Sequence, residues 1–244
     1  MPDRRSHRGP HPDDERLFAP QAVPVLRDAV ADLSWLQTRG YADKGALKLV
    51  GDRFSLTERQ RLAVMRSACS DQQFSSRQSR LVSIEQLRGS SLAIDGYNLL
   101  ITVEAALSEG LLFRGRDRSF RDLASIHGTY RKVEETLPAV ELIGRFLEVQ
   151  AVSKVLWLLD SPVSNSGRLK TLIRQTGQAH SWPWQVELSL SPDAQLMRTD
   201  WVVASTDSVV LDACPRWVNL AYEIVRHNLP GANVIDVGCY PGAA

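Results

Sequence analysis

Three apolar runs in this chain each lead into an aspartate, and no other feature of the sequence constrains the fold as strongly. The runs and the aspartates that follow them are 92–94 with Asp95, 155–159 with Asp160, and 201–204 with Asp207. Nearly continuous apolar runs of this kind are typical of parallel strands covered by helices on both faces. Since parallel strands that precede helices end at the same edge of a sheet, the sequence predicts that these carboxylates lie close together.

Two further runs extend this pattern. Residues 186–190 resemble a strand that breaks at Ser191-Pro192-Asp193, where the first two residues are of types that start a helix and Asp193 becomes a fourth strand-end carboxylate. Residues 232–237 predict a fifth strand, and helical patterns fill the gaps. The order strand–helix–strand predicts an α/β domain over 88–244, with a Rossmann-like, mostly parallel sheet as the middle of three layers.

The N-terminal third has a helical pattern instead. Apolar residues recur at helix spacing over 25–36, and Gly40 is a suitable end for that helix. A second helix is predicted over 41–49 with Gly51 as its end, and a third begins after the capping pattern at 55–58. Three short helices allow a helix-turn-helix interpretation, but a helical unit packed on the main domain is the commoner outcome, and we favour it.

The chain therefore divides into four predicted segments. In order, they are a disordered tail over 1–18, a small all-α unit over 19–72, a linker over 73–87 and the α/β domain over 88–244. The tail is predicted from its proline, arginine, histidine and aspartate content. The linker is predicted from the polar composition of residues 71–79.

Composition limits the functions open to this chain. Its 29 basic and 28 acidic residues nearly balance, which excludes a strongly basic nucleic-acid coat and leaves local patches for binding a polyanion. The three cysteines include no Cys-x-x-Cys pair, so neither a disulfide framework nor a structural zinc site is expected. No apolar stretch has transmembrane length and no signal-peptide pattern is present, which predicts a cytoplasmic protein.

Carboxylates that converge need a compensating charge. Several of them in one cleft repel each other unless protons or a cation compensate, and carboxylates without histidine or cysteine partners favour Mg²⁺ or Mn²⁺ over zinc. Each aspartate on its own also fits a plainer role as a turn residue or helix cap. It is the set, at matching strand ends, that predicts a metal site.

Two segments carry a resemblance to a known superfamily. Residues 94–100, Ile-Asp-Gly-Tyr-Asn-Leu-Leu, and 204–208, Ala-Ser-Thr-Asp-Ser, resemble the PIN-like nucleases, particularly their NYN branch, over about residues 88–240. The whole chain, including 47–53, also resembles an uncharacterised domain-of-unknown-function family. The PIN-like resemblance implies a ribonuclease that depends on Mg²⁺ or Mn²⁺, with RNA more expected than DNA as the substrate and no membrane partner. Relatives of this kind often dimerise, so a homodimer is one expected state.

The resemblance also implies roles for the aspartates. Asp95 corresponds to the first metal ligand, and Asn98 lies beside it at the start of the following helix. Asp160 and Asp207 correspond to the rest of the acidic centre, with Asp193 as its fourth member. These four aspartates are therefore both the expected catalytic residues and the expected metal ligands.

The acidic set has further candidates. The superfamily usually carries another acidic residue on or near the helix after the first strand, a place that either Glu104 or Glu109 could fill. Asp212 follows Asp207 closely and is a competitor that also fits a solvent-facing position. Asp200 precedes its strand and is more typical of a surface turn.

Two stretches could bring positive charge to such a site. The arginine-rich run 114–121 is predicted in the loop and helix start after the first helix, and 128–132 on the helix that follows. The second stretch follows Asp160 and combines hydroxyl, amide and basic side chains at a helix start, which suits a phosphate group. For both, a solvated helix face is the alternative. The residues predicted to contact substrate are Asn98, Arg131, Ser164, Asn165, Ser166, Arg168 and Lys170. Among the histidines, His127 has the most polar setting, although a helix-surface role is the commoner one.

Two other functional classes fit parts of the sequence. A catalytically inactive PIN-like module that binds nucleic acid or protein would keep the fold with an incomplete acidic site. A phosphatase of the HAD type uses a strand-end aspartate as its nucleophile, but it requires Asp-x-Asp, and Tyr97 stands at the second position. Metal-dependent RNA hydrolysis is therefore the preferred interpretation, and the inactive module is the alternative.

Overall fold

The computed structural model describes residues 7–124 and 130–238, with helices alone before residue 91 and a mixture of strands and helices from there on. The helices are α1 (Asp14–Leu17), α2 (Val23–Thr38), α3 (Asp43–Arg53), α4 (Glu58–Ser67), α5 (Asp71–Arg80), α6 (Gly96–Leu107), α7 (Thr136–Val149), α8 (Ser166–Ala179), α9 (Pro192–Leu196), α10 (Ser208–Ala213) and α11 (Leu220–Asn228). The strands are β1 (Ser91–Asp95), β2 (Leu112–Arg114), β3 (Phe120–Arg121), β4 (Lys154–Asp160), β5 (Trp184–Ser189), β6 (Val202–Ala204) and β7 (Val234–Asp236). None of the helices in these described ranges is long and apolar enough to cross a bilayer.

Four strands form a parallel sheet in the order β5-β4-β1-β6. The chain leaves β1 outward through β4 and β5 and then returns to place β6 on the opposite side of β1. The crevice between the ends of β1 and β6 is therefore the topological switch point, where open α/β sheets bind their ligands. All four strands lie where the sequence predicted them, which are the runs 92–94, 155–159, 186–190 and 201–204.

Side chains alternate between the two faces of this sheet, and helices cover both. Leu92 and Ile94 of β1 pack in a large core with α6, α7, α8 and α11, whereas Ala93 packs in a smaller core with α9 and α10. In β4, Trp157 faces the large core and Leu158 faces the small one. The predicted three-layer, Rossmann-like α/β fold is confirmed.

The predicted fifth strand lies in a separate sheet. Residues 232–237 contain β7, which pairs with β2, and β2 pairs with β3, so that the order is β3-β2-β7. The arginine-rich run 114–121 therefore contains the turn of a hairpin, not the loop and helix start that the sequence predicted. The paired segments β2 and β3 are too short to show a strand period, which explains the difference.

The N-terminal helices form the predicted all-α unit and pack on this small sheet. Thr57 caps α4 through a capping box with Gln60, in agreement with the sequence pattern. Gly51, by contrast, lies inside α3, where a Cβ would come within 2.1 Å of the Arg61 guanidinium. The glycine thus allows close approach of an arginine rather than ending the helix. Phe113 of β2 is buried in the core of this unit, so the two parts of the chain share one core.

Two segments that were predicted to lack structure are folded. The predicted linker, 73–87, contains most of α5, and its Arg77 is buried in ion pairs with Asp117 and Asp212. No apolar period marks this helix because its buried residue is a paired arginine. Residues 7–18 of the predicted tail include α1, and they bury Leu17 and Phe18 against the helical unit, so disorder does not extend to residue 18.

Candidate functional site

A cavity of about 300 Å³ opens at the carboxyl end of the parallel sheet, beside the switch point between β1 and β6. Three of the four predicted aspartates line it, namely Asp95, Asp193 and Asp207. The other polar lining residues are Arg66, Tyr97, Asn98, Arg121, Asp122, Thr206 and Ser208. We call this space the acidic cavity.

Asp95 is a buried carboxylate held by two neighbours. Only 8% of the residue is exposed. Its Oδ2 accepts a hydrogen bond from Ser205 Oγ at 2.8 Å, and its Oδ1 accepts one from the backbone nitrogen of Asn98 at 3.4 Å. Burial raises the pKa of Asp95 to about 7; the hydrogen bond from Ser205 opposes this rise, and the charges of Asp193 and Asp207 add to it. Near neutral pH this carboxyl group is therefore partly protonated unless a positive charge joins it.

Gly96 allows α6 to begin next to β4. A Cβ at this position would lie 2.5 Å from Leu159 Cδ2 and 2.8 Å from the carbonyl oxygen of Leu158. A glycine is therefore needed here for the close approach of the two elements. Asp95 consequently caps a helix whose first turn is packed against the neighbouring strand.

Hydrogen bonds across the switch point hold the ends of β1 and β6 together. Asn98 Oδ1 accepts from the backbone nitrogen and from Oγ1 of Thr206, at 2.8 and 2.7 Å. Ser205 Oγ, which donates to Asp95, accepts from the backbone nitrogen of Asp207 at 3.0 Å. Since the amide oxygen of Asn98 is taken up in this way, its NH₂ group is what Asn98 offers to a ligand. Asp207 itself caps α10.

The strand order alone does not suggest that Asp193 lines the cavity. It follows β5, which is at the far edge of the sheet, but α9 packs back across the strand ends with Leu196 in the same core as Ala93. The side chain of Asp193 is exposed, and its pKa is raised by partial burial and by the charges of Asp207 and Asp160.

Asp160 ends β4 as predicted and its pKa is raised by burial, yet it does not line the cavity.

Asp122 is an acidic residue of the cavity that the sequence analysis did not find. Its Oδ2 accepts a hydrogen bond from Thr102 Oγ1 of α6 at 2.9 Å, and its Oδ1 accepts one from the backbone nitrogen of Ala124 at 2.7 Å. The carboxylate is thus held against the helix that was expected to carry a further acidic residue. Asp122 follows the two-residue strand β3, which is too short to leave a pattern in the sequence.

The two glutamates predicted for that role lie elsewhere. Glu104 is fully buried, and its carboxylate accepts hydrogen bonds from Tyr130 Oη and from Thr136 Oγ1. Its other oxygen accepts from Arg8 Nε at 3.0 Å, and burial raises the pKa of the group. Glu109 is exposed beyond the end of α6. Neither of them lines the acidic cavity.

The remaining competitors are also outside the cavity. Asp212 accepts hydrogen bonds from Arg77 Nε and from Gln73 Nε2, each at 2.7 Å, and so belongs to the contact between α5 and α10. Asp200 is exposed, in agreement with a surface turn. His127 lies outside the described residues.

Two arginines line the acidic cavity as well, and each is bound to the chain around it. Arg121 Nε donates to the carbonyl oxygen of Thr206 at 2.8 Å, while both of its Nη atoms donate to Asp117. Arg66, on α4, donates at 2.5 and 3.0 Å to two carbonyl oxygens of the segment that carries Asp122. The N-terminal helical unit therefore supplies part of the cavity wall.

The residues predicted to contact substrate, apart from Asn98, divide into two groups. Arg131, Asn165 and Arg168 line a second cavity of about 280 Å³ together with Lys132, and we call it the basic cavity. The predicted contacts that lie next to it in the chain without lining it are Ser164, Ser166 and Lys170. Lys132 was predicted only as part of the basic stretch 128–132, which was assigned to a helix; in the structure that helix begins at Thr136, so Arg131 and Lys132 precede it.

The donor chemistry of the acidic cavity fits a divalent cation. Carboxylate oxygens are the preferred ligands of Mg²⁺ and Mn²⁺, and a cation would favour the ionised form of Asp95, whose pKa is raised by burial first and by the charges of Asp193 and Asp207 in addition. Among the described residues, no three side chains of Asp, Glu, His or Cys already converge closely enough to hold a metal ion. A cation held here would take one or two carboxylate ligands and complete its coordination with water.

Comparisons with known proteins find family matches over two parts of the chain. Residues 84–223 match a family described as a domain of unknown function (DUF5616), and residues 25–80 match one described as a protein of unknown function (DUF434). The uncharacterized protein MJ0935 of Methanocaldococcus jannaschii is 30% identical over 186 residues, which cover 76% of this chain and 88% of that protein. No solved structure matches this chain.

Proposed function

The chain belongs to the family described as a domain of unknown function (DUF5616), and we propose that it is a metal-dependent nuclease of the PIN-like superfamily, NYN branch, that hydrolyses phosphodiester bonds in RNA. The observation that carries this proposal is the lining of the acidic cavity by Asp95, Asp122, Asp193 and Asp207 at the switch point of the sheet. The charges of Asp193 and Asp207 disfavour the ionised form of Asp95, and a bound cation would offset this effect.

The residues of the cavity differ in how firmly they are held, and this suggests a division of roles. Asp95 and Asp122 each accept two hydrogen bonds from their surroundings, so they form a rigid base for the site. Asp193 is exposed and able to adjust to a ligand. Asn98, with its amide oxygen bound to Thr206, presents its NH₂ group as a donor to a phosphate oxygen.

A bound Mg²⁺ or Mn²⁺ would polarise the phosphate and lower the pKa of an attacking water. The protein would contribute position: the strand ends fix Asp95, and the helix α6 that it caps directs backbone N–H groups toward the same space. Tyr97 and Ile101 of α6 form a less polar wall that limits the access of water to the reacting group.

A second candidate function is a catalytically inactive module of the same fold that binds nucleic acid or protein. The observation that favours it is that no three acidic, histidine or cysteine side chains of the described residues converge on a common point. The two functions differ in one respect that can be measured, which is whether the carboxylates are needed for chemistry or only for the shape of the cavity.

The test is the incubation of the purified protein with end-labelled single-stranded RNA and Mn²⁺, next to the variants Asp95→Asn and Asp200→Asn. The proposal expects cleavage by the wild-type protein and by Asp200→Asn, whose aspartate is exposed and outside the cavity, and its loss in Asp95→Asn. Equal cleavage by all three proteins would remove the acidic cavity from the mechanism. Binding of RNA without any cleavage would support the inactive module.

A further inference from the structure

We propose that the basic cavity binds a backbone phosphate of the same nucleic-acid strand whose scissile phosphate occupies the acidic cavity. This inference rests on the proposed function and adds a defined place for the part of the strand that is not cleaved. The ligand of the basic cavity is a phosphodiester group, recognised by charge and not by base identity.

The basic cavity is built by a contact between two segments that are distant in the chain. The backbone nitrogen of Tyr130 donates to the carbonyl oxygen of Ser164 at 3.3 Å, and Asn165 Nδ2 donates to the carbonyl oxygen of Tyr130 at 3.0 Å. Asn165 precedes α8 with a φ of 70°, a left-handed conformation that asparagine adopts more readily than most residues. These contacts fix the segment after Tyr130 beside the first turn of α8.

The charged side chains that line the basic cavity are all positive. They are Arg131, Lys132 and Arg168, and no aspartate or glutamate is among the described residues that line it. Lys132 and Arg168 are both exposed, while Leu169 and Leu172 contribute apolar surface. Positive charge around a concave, partly apolar surface attracts anions, and a guanidinium group matches the geometry of a phosphate.

The basic cavity lies next to the acidic cavity. Asn165 belongs to the loop that leaves β4 at Asp160, and β4 is the direct neighbour of β1 in the sheet. Tyr97 lines the acidic cavity and Tyr130 lines the basic one, and their ring centroids are only 5.2 Å apart. Both rings are buried, so a strand with one phosphate between the carboxylates can pass over the surface that covers them and place a following phosphate near Arg168.

The inference is tested by the binding of a fluorescently labelled single-stranded oligoribonucleotide of about twelve nucleotides. Anisotropy is measured in EDTA over a series of salt concentrations, so that no cleavage interferes. We expect Arg168→Ala to weaken binding about fivefold at low salt and to reduce the slope of log K against log [salt] by about 0.7, the contribution of one phosphate contact in a single strand. Lys132→Ala should have an effect of the same kind.

Arg174→Ala is the matched control. Arg174 is an exposed arginine on the same helix and does not line the basic cavity, and its substitution removes the same charge. Its affinity and salt slope should equal those of the wild-type protein. Wild-type binding by both Arg168→Ala and Lys132→Ala, an equal loss in Arg174→Ala, or no binding by the wild-type protein would each overturn the inference. Thermal unfolding of each variant shows that the fold is retained.

A dinucleotide with a single phosphate separates this inference from the proposed function. It can occupy the acidic cavity but cannot reach the basic one, so Arg168→Ala should cleave it in Mn²⁺ at the wild-type rate while cleaving the longer substrate less efficiently at limiting concentration. If the wild-type protein cleaves neither substrate, the proposed function fails, and the binding comparison still decides the inference. If Arg168→Ala slows cleavage of both substrates equally, the residue acts at the acidic cavity and the inference fails alone.

Discussion

Ser205 Oγ donates a hydrogen bond of 2.8 Å to Asp95 Oδ2 and accepts one of 3.0 Å from the backbone nitrogen of Asp207. One buried hydroxyl group therefore joins the carboxylate at the end of β1 to the carboxylate that follows β6. This explains the spacing Ser-x-Asp in the sequence, since the serine must point back to the neighbouring strand while the aspartate begins the next helix.

Substitution of this serine tests the link. Ser205→Ala leaves Asp95 Oδ2 without its buried donor, so we expect a loss of about 1–3 kcal/mol in the free energy of unfolding. Nuclease activity should fall about 10- to 100-fold, the usual effect of removing a group that orients a metal ligand. Urea unfolding and RNA cleavage measure the two effects. Ser75→Ala, at an exposed position on α5 outside both cavities, should change neither, and an unaltered Ser205→Ala would contradict the link.

The raised pKa of Asp95 predicts a pH-dependent effect of Asp95→Asn on stability in EDTA. Burial moves this pKa from 3.8 to about 7, so the group stabilises the fold below about pH 4, and this contribution is lost as the pH rises through about 7. The uncharged asparagine avoids that loss. From pH 4 to pH 8, Asp95→Asn should therefore gain stability over the wild-type protein by on the order of 3 kcal/mol. A difference in unfolding free energy that does not change with pH would contradict the raised pKa.

Asp122 and Glu104 make opposite predictions for activity. Asp122 lines the acidic cavity, whereas Glu104 is bound to Tyr130, Thr136 and Arg8 away from it. We expect Asp122→Asn to reduce the rate of RNA cleavage at least about tenfold and Glu104→Gln to retain it at a temperature where both variants are folded. Loss of cleavage in Glu104→Gln with retention in Asp122→Asn would instead make Glu104 the additional acidic residue of the site, at the position on α6 that the resemblance implied.

Asp117 should be essential for stability. It is 1% exposed and pairs with Arg77 at 2.6 Å and with Arg121 at 2.6 Å. Burial favours protonation of Asp117, but the charges and hydrogen bonds of these arginines outweigh burial and hold its pKa below the usual range. Asp117→Asn removes the ion pair of Arg121 and one of the two ion pairs of Arg77, which keeps Asp212, so we expect a loss of about 3–5 kcal/mol in unfolding free energy.

The exposed pair of Lys48 with Asp52 is the control for that substitution. These residues form an ion pair of 2.6 Å on the surface of α3. Because an exposed pair contributes little, Lys48→Ala should lower the unfolding free energy by less than about 1 kcal/mol. Similar losses for the two substitutions in urea unfolding would contradict the assignment of Asp117 as the centre of a buried network.

Much of the fold was predictable because it depends on local patterns. The apolar runs that end at Asp95 and Asp160 are strands of the sheet, and Thr57 caps a helix as its sequence pattern indicated. The helix over Asp71–Arg80 was not predictable in this way, because it buries Arg77 by pairing and so has no apolar face. Pairing partners that lie far away in the chain leave no periodic signal.

The candidate site was predictable only in part for a related reason. The apolar runs that precede Asp95 and Asp207 predict both residues at strand ends. Asp193 also follows a strand, but it lines the cavity only because α9 packs across the strand ends. Asp122 follows a strand of two residues, and its place in the cavity depends on the hydrogen bond from Thr102. Arg66 arrives from a separate unit, which no local pattern in the sequence indicates.

The dependence of RNA cleavage on Mn²⁺ concentration tests the central claim most directly. Asp193→Asn is the informative variant, because its aspartate is exposed and its substitution should not affect folding. We expect EDTA to abolish cleavage. The Mn²⁺ concentration needed for half-maximal cleavage should rise about tenfold or more in Asp193→Asn and should not change in Asp200→Asn. Cleavage that continues at the same rate in EDTA, or the same Mn²⁺ requirement in all three proteins, would contradict the central claim.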